Sequence, residues 1–139
     1  MTRRSHTGIF VFVNRSPICF FSKRQNTVES STVGSEFIDI KQAIDLIEAL
    51  RYKLRMMGFP MEGPTSLFCE NSAVDINTTT PESTLKRKHT SIAYHHCMEA
   101  QAANIVKIDK EGTLKNLADM LTKLLGGPKL RTLAGMILW

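Results

Sequence analysis

Residues 65–73, TSLFCENSA, set a short apolar run against an abrupt polar stop. The run Leu67-Phe68-Cys69 has the length and residue types of a buried strand, and Glu70, Asn71 and Ser72 end it. A carboxylate at the tip of a strand has two readings. It is an ordinary solvated strand-end acid, or it belongs to a site, because α/β proteins place their sites at the carboxyl ends of strands.

The flanking sequence decides the fold class. Upstream, GIFVFV (8–13) and PICFFS (17–22) are Val/Ile/Phe-rich runs joined by a short polar turn before Pro17, which predicts a β-hairpin. KRQNTVESST (23–32) is polar and turn-like. Ile40, Ala43, Ile44, Ile47, Leu50, Leu54 and Met57 then recur at three- and four-residue spacing, one face of a long helix. Ser31 or Thr32 is placed to cap its start, and Gly58 and Pro60 to stop it. Downstream, 77–88 is polar, contains Pro81 and is expected to be loop. SIAYHHCMEAQAA (91–103) predicts a helix and NIVKID (104–109) a further strand. Leu114, Leu117, Ala118, Leu121, Leu124 and Leu125 form a second helical stripe, broken by GGP (126–128), and Pro128 sits at the first turn of a last helix. Strands, a long helix, then strands alternating with helices predict an α/β domain with a mixed sheet.

The chain has 139 residues, enough for one ordinary domain. With 42% apolar and 22% charged residues, the composition is that of a globular protein and excludes wholesale disorder. A net charge of +5 permits a polyanionic partner without requiring one. Cys19, Cys69 and Cys97 are odd in number and widely spaced, which argues against a disulfide framework and for an intracellular compartment, cytoplasmic or nuclear. No apolar run approaches the roughly 18 residues a membrane span needs, and IFVFV (9–13) is too short for the apolar segment of a signal peptide.

Three acids stand out, each with a bland alternative. Glu36 lies four residues before Ile40, so it shares the apolar face of the long helix; it is either a functional acid or one stabilised by the helix's positive end. Glu70 is the strand-tip acid. Asp119 points nearly opposite the Leu114–Leu125 stripe, an exposed helix acid unless the helix starts later than Leu114. Lys23, Arg24, Lys86, Arg87 and Lys88 suit either phosphate contacts or a solvated surface. His89, His95, His96 and Cys97 raise zinc, but their spacing fits no standard finger, and adjacent His95 and His96 diverge on a helix.

Taken together, RRSHTGIFVFV, PICFFSKRQNTVESSTVGSEF, FCENSAV, NTTTPESTLKRKHTSIAYHH and NLADMLTKLL resemble, in order and over nearly the whole chain, the ribonuclease H region at the end of copia-type LTR retrotransposon polyproteins. KRKHTSIAYHH and ADMLTK carry the resemblance most specifically, because no generic fold pattern explains them. The resemblance implies a ribonuclease H-like mixed sheet flanked by helices, and cleavage of the RNA strand of an RNA–DNA hybrid. It implies carboxylates converging on two magnesium ions roughly 3.5–4 Å apart. Magnesium's preference for oxygen ligands suits such a site. Glu36, Glu70 and Asp119 match three of the family's four catalytic, metal-binding acids.

Departures from the family pattern qualify this. The family's first acid stands on a central strand just before the RRS segment, and here Met1 reaches RRS at once, so the first strand and its aspartate are expected to be missing, leaving two sheet edges unpaired. Glu70 stands where the family has Asp, which moves the carboxylate by roughly a bond length in a site intolerant of about 1 Å errors. Gly34 stands where another acid is common. The expectation is a partial ribonuclease H-like domain over residues 1–125 and a C-terminal helix over 126–139. Such a chain is a polyprotein fragment, inactive unless completed by the rest of the polyprotein, or else a non-catalytic remnant that binds nucleic acid or does nothing.

Overall fold

The computed structural model describes residues 5–26, 32–70 and 88–138. The expected loop 77–88 lies almost wholly outside them, as does the capping candidate Ser31. The chain divides into two compact units, one within Met1–Ser30 and Glu111–Trp139, the other Ser31–Lys110.

In the first unit, β1 (His6–Val13) and β2 (Ser16–Arg24) pair antiparallel, with Ile9 opposite Phe21 and Phe10 opposite Phe20. Asn14 takes the left-handed φ of 57° that the tight connection demands, a conformation Asn tolerates better than most residues. One face of β1 is buried through Thr7 and Ile9. The other carries Phe10, stacked on Phe20 at 5.5 Å and on Phe12 at 6.3 Å. The predicted helix over the Leu114–Leu125 stripe is corrected: only Asp119–Thr122 is helical, a single turn, α3. Its late start has a local cause. Gly112 closes a turn with Lys115, and Asn116 Oδ1 accepts the Ala118 N–H at 3.1 Å, an Asx-type turn that admits the helix only afterwards. Leu114 and Leu124 are exposed as a result. The following helix, α4 (Gly127–Gly135), starts with Pro128 in its first turn as predicted and buries Leu133 completely.

In the second unit, α1 (Thr32–Met56) turns Phe37, Ile40, Ile44 and Ile47 into the core, the face the periodicity predicts. It ends in a Schellman motif: Gly58 has φ 85°, its N–H donates to Arg55 O at 2.9 Å, and the Phe59 N–H donates to Leu54 O at 3.0 Å. Next, β3 (Thr65–Cys69) pairs parallel with β4 (Val106–Lys110), Leu67 lying opposite Ile108. The crossover between them carries α2 (Lys88–Ala102), which buries Ala93, Tyr94, Cys97 and Ala100 against α1. The same cap recurs at its end, with Asn104 at φ 57° in glycine's place, Asn104 N–H on Gln101 O and Ile105 N–H on Ala100 O, both at 2.9 Å. That cap consumes Asn104, so the strand predicted from 104 starts at Val106. The described strands thus form two sheets of two strands each, in a mixed α/β chain.

Gly8 is where β1 meets α3. A Cβ there would lie 2.6 Å from Thr122 Cγ2 and 2.9 Å from Leu121 Cβ, whereas nothing lies within 4 Å of one added at Gly112. Gly8→Ala should destabilise this unit by about 1–3 kcal/mol through overpacking. Gly112→Ala should leave stability nearly unchanged, and denaturant melts of the two variants check the contrast.

Candidate functional site

Glu36 lies just past the first turn of α1, beyond the four backbone N–H groups that a helix start leaves free. It is half-buried, next to the fully buried Phe37, and its Oε2 is out of solvent. Glu70 directly follows β3 and is also half-buried. Arg51 ties the far part of α1 to the start of β3, donating to Thr65 Oγ1 and to Gly63 O, both at 3.0 Å. From that tie the chain runs back along α1 to Glu36 over roughly 22 Å, at about 1.5 Å per residue, and along β3 to Glu70 over roughly 17 Å. Both acids thus lie away from that tie, Glu36 near the start of α1 and Glu70 at the end of β3.

Asp119 belongs to the other unit, and its setting overturns the pattern-based reading of an exposed acid. It is the first residue of α3 and only 2% exposed. Lys129 Nζ, from α4, lies 2.6 Å from Oδ2, and Lys123 Nζ, one turn on, lies 2.9 Å from Oδ1. Burial by itself raises the carboxyl's pKa, but the hydrogen bonds from Lys129 and then Lys123 outweigh it and hold the group below the usual carboxylate range. Only the late helix start, legible in Asn116, hints at this burial in the sequence.

Among the basic candidates, Lys23 and Arg24 close β2 and are exposed. Lys86 and Arg87 lie outside the described residues, and Lys88 is the first residue of α2. The histidine–cysteine group separates as its spacing predicts. His95 is exposed beside Tyr94, while Cys97 is buried in the core and its thiol is pushed up to about 12, chiefly by desolvation. A thiol so placed is neither a nucleophile nor a ready metal ligand. His96 instead faces α1, with Nε2 3.1 Å from Asp45 Oδ1, a pairing that no motif announces.

The chain is similar to retrovirus-related Pol polyproteins from plant transposons. It is 24% identical over 133 residues to that of transposon RE1 of Arabidopsis thaliana, which covers 96% of this chain and 9% of the relative. Against that of transposon RE2 of the same plant it is 24% identical over 119 residues, 86% of this chain and 8% of the relative. Against that of transposon TNT 1-94 of Nicotiana tabacum it is 29% identical over 122 residues, 87% of this chain and 9% of the relative. The chain thus spans less than a tenth of these relatives' length. No family model and no solved structure matches it. Among the described residues, no helix is long and apolar enough to cross a membrane.

Asp119→Asn keeps the shape and removes the charge that two ammonium groups share. It should cost about 1–3 kcal/mol, the penalty for disrupting a buried charge-assisted hydrogen bond. Because the folded pKa is depressed, Asp119's contribution is complete above the unfolded-state value of about 3.9 and is lost as pH falls through the lower folded value. Denaturant melts across the acid range should therefore show the variant's deficit shrinking below about pH 4.

Proposed function

We propose that the chain is a ribonuclease H-type segment of a retrotransposon Pol polyprotein, catalytically silent as it stands, with a weak charge-driven grip on RNA–DNA hybrid. The single observation that carries the silence is Asp119 itself. Both of its oxygens already hold ammonium groups within 3 Å, so a divalent ion approaching this carboxylate meets two positive charges and must compete with them. Two magnesium ions do not fit Asp119 in that setting. The longer side chain of Glu70, where the family has Asp, argues the same way.

Support for the segment itself comes from three directions. Similarity to Pol polyproteins runs over most of the chain. A hairpin, a long helix and a parallel β–α–β unit follow one another in the order a ribonuclease H-like fold requires. Glu36 and Glu70, both half-buried, belong to one unit, near the start of α1 and at the end of β3. The grip on nucleic acid rests on Lys23 and Arg24, exposed at the end of β2, whose charges are free to neutralise phosphates in any sequence context.

In magnesium, the chain should leave the RNA strand of an RNA–DNA hybrid intact and bind the hybrid with an affinity that falls steeply as salt rises. Reversing both charges, Lys23→Glu with Arg24→Glu, should lower the slope of log affinity against log salt by roughly 1–2. Fluorescence anisotropy and a gel cleavage assay read the two parts separately. Cleavage that Glu36→Gln and Asp119→Asn each abolish would overturn the silence. Binding indifferent to salt would overturn the phosphate contacts.

A further inference from the structure

We propose that Asp45, Glu48 and His96 form a site for one divalent transition-metal ion of the zinc type, joining α1 to α2. This inference is independent of the nuclease reading and lies wholly within the Ser31–Lys110 unit. Asp45 and Glu48 are three residues apart on α1 and so share one face of it, while His96 approaches from α2. One carboxylate oxygen from each acid and one imidazole nitrogen all lie within 4.8 Å of one another.

The His96–Asp45 spacing suits a shared ion. Ligands held at about 2.0–2.2 Å around a tetrahedral ion lie roughly 3.2–3.6 Å from each other. His96 Nε2 stands 3.1 Å from Asp45 Oδ1, close to that edge length. That nitrogen is shielded from solvent, yet despite its closeness to the carboxylate it makes no hydrogen bond of acceptable geometry. A buried ring nitrogen without a hydrogen-bond partner, standing beside carboxylate oxygens, is open to a metal. Asp45 is half exposed, so water can reach a fourth position.

The donor set selects the ion. One imidazole nitrogen with two carboxylate oxygens suits zinc and its first-row neighbours, whereas magnesium takes oxygen ligands and retains its waters. The local charge also suits a cation. Two carboxylates belong to the cluster, and Lys41 Nζ holds Asp45 Oδ2 at 2.6 Å and leaves Oδ1 to the site. Lys41 is thus a built-in competitor of the ion. Cys97, whose thiol burial keeps protonated, stays out of the donor set.

The test is a zinc titration of the full chain against a chromophoric chelator, with cobalt as a spectroscopic probe. The expected result is one equivalent bound and not displaced by magnesium. The cobalt spectrum should lack thiolate charge-transfer bands, which separates this site from Cys19 and Cys69. His96→Ala and Glu48→Gln should each weaken binding at least about tenfold, the loss typical even of residues that only support a ligand. Lys41→Met should tighten binding, an effect that misfolding cannot imitate. Zinc should raise the melting temperature of the wild-type chain and not of His96→Ala. No bound metal, thiolate bands in the cobalt spectrum, or variants that bind like the wild type would overturn the proposal.

Discussion

The carboxylate of Asp119, buried and held between two ammonium groups, organises the unit that contains the hairpin. An unpaired charge at 2% exposure would be strongly destabilising, and Lys123 and Lys129 make it tolerable by hydrogen bonding to one oxygen each. A helix of one turn cannot hold itself together by its own hydrogen bonds. Here α3 is held from outside: Lys129 ties it to α4, Ser22 Oγ donates to Leu121 O at 2.6 Å, and Gly8 lets its backbone approach β1. The hairpin, the single turn and the C-terminal helix are one body because these contacts converge on four residues.

The other unit depends on apolar packing. Two parallel strands alone are marginal in water, and they persist here because α1 and α2 cover their buried face with Phe37, Ile40, Ile44, Tyr94 and Cys97. Both helices end in Schellman caps that turn the chain into the next segment, one on Gly58 and one on Asn104. Among the described residues, each strand of either sheet has a hydrogen-bonded neighbour on one side only. Phe20 and Phe68, at 64% and 59% exposure, leave large apolar surface uncovered. Open edges and exposed aromatics of this kind favour association with further strands or other chains.

Much of this was legible in the residues. The Ile40–Ile44–Ile47 spacing announces α1, Gly58 its end, and the Val/Ile/Phe runs around Asn14 the hairpin. Asn104 was harder, because its polar amide looks like a strand entry until its left-handed φ identifies it as a cap. The Leu114–Leu125 stripe misled, since hydrophobic periodicity is blind to the Asx-type turn at Asn116 that postpones the helix. With that start went the exposure of Asp119. Of its lysine partners, Lys123 stands at the i+4 spacing that a helix pairs, but Lys129 reaches it from a separate helix, which sequence spacing does not reveal. The same limit hid Asp45 and Glu48, which meet His96 only once α1 and α2 pack.

For function, the weight falls on what occupies an acid that the resemblance would give to metal. An aspartate placed as a ligand and one placed as a structural ion pair can share a sequence position; their partners distinguish them. The most direct measurement is an NMR titration of the chain, labelled at aspartate and glutamate carboxyl carbons and lysine ammonium nitrogens, with magnesium to saturation. The account predicts that the Asp119 carboxyl signal and the ammonium signals of Lys123 and Lys129 stay in place. Joint movement of these three signals on magnesium binding, accompanied by Glu36 and Glu70, would contradict it.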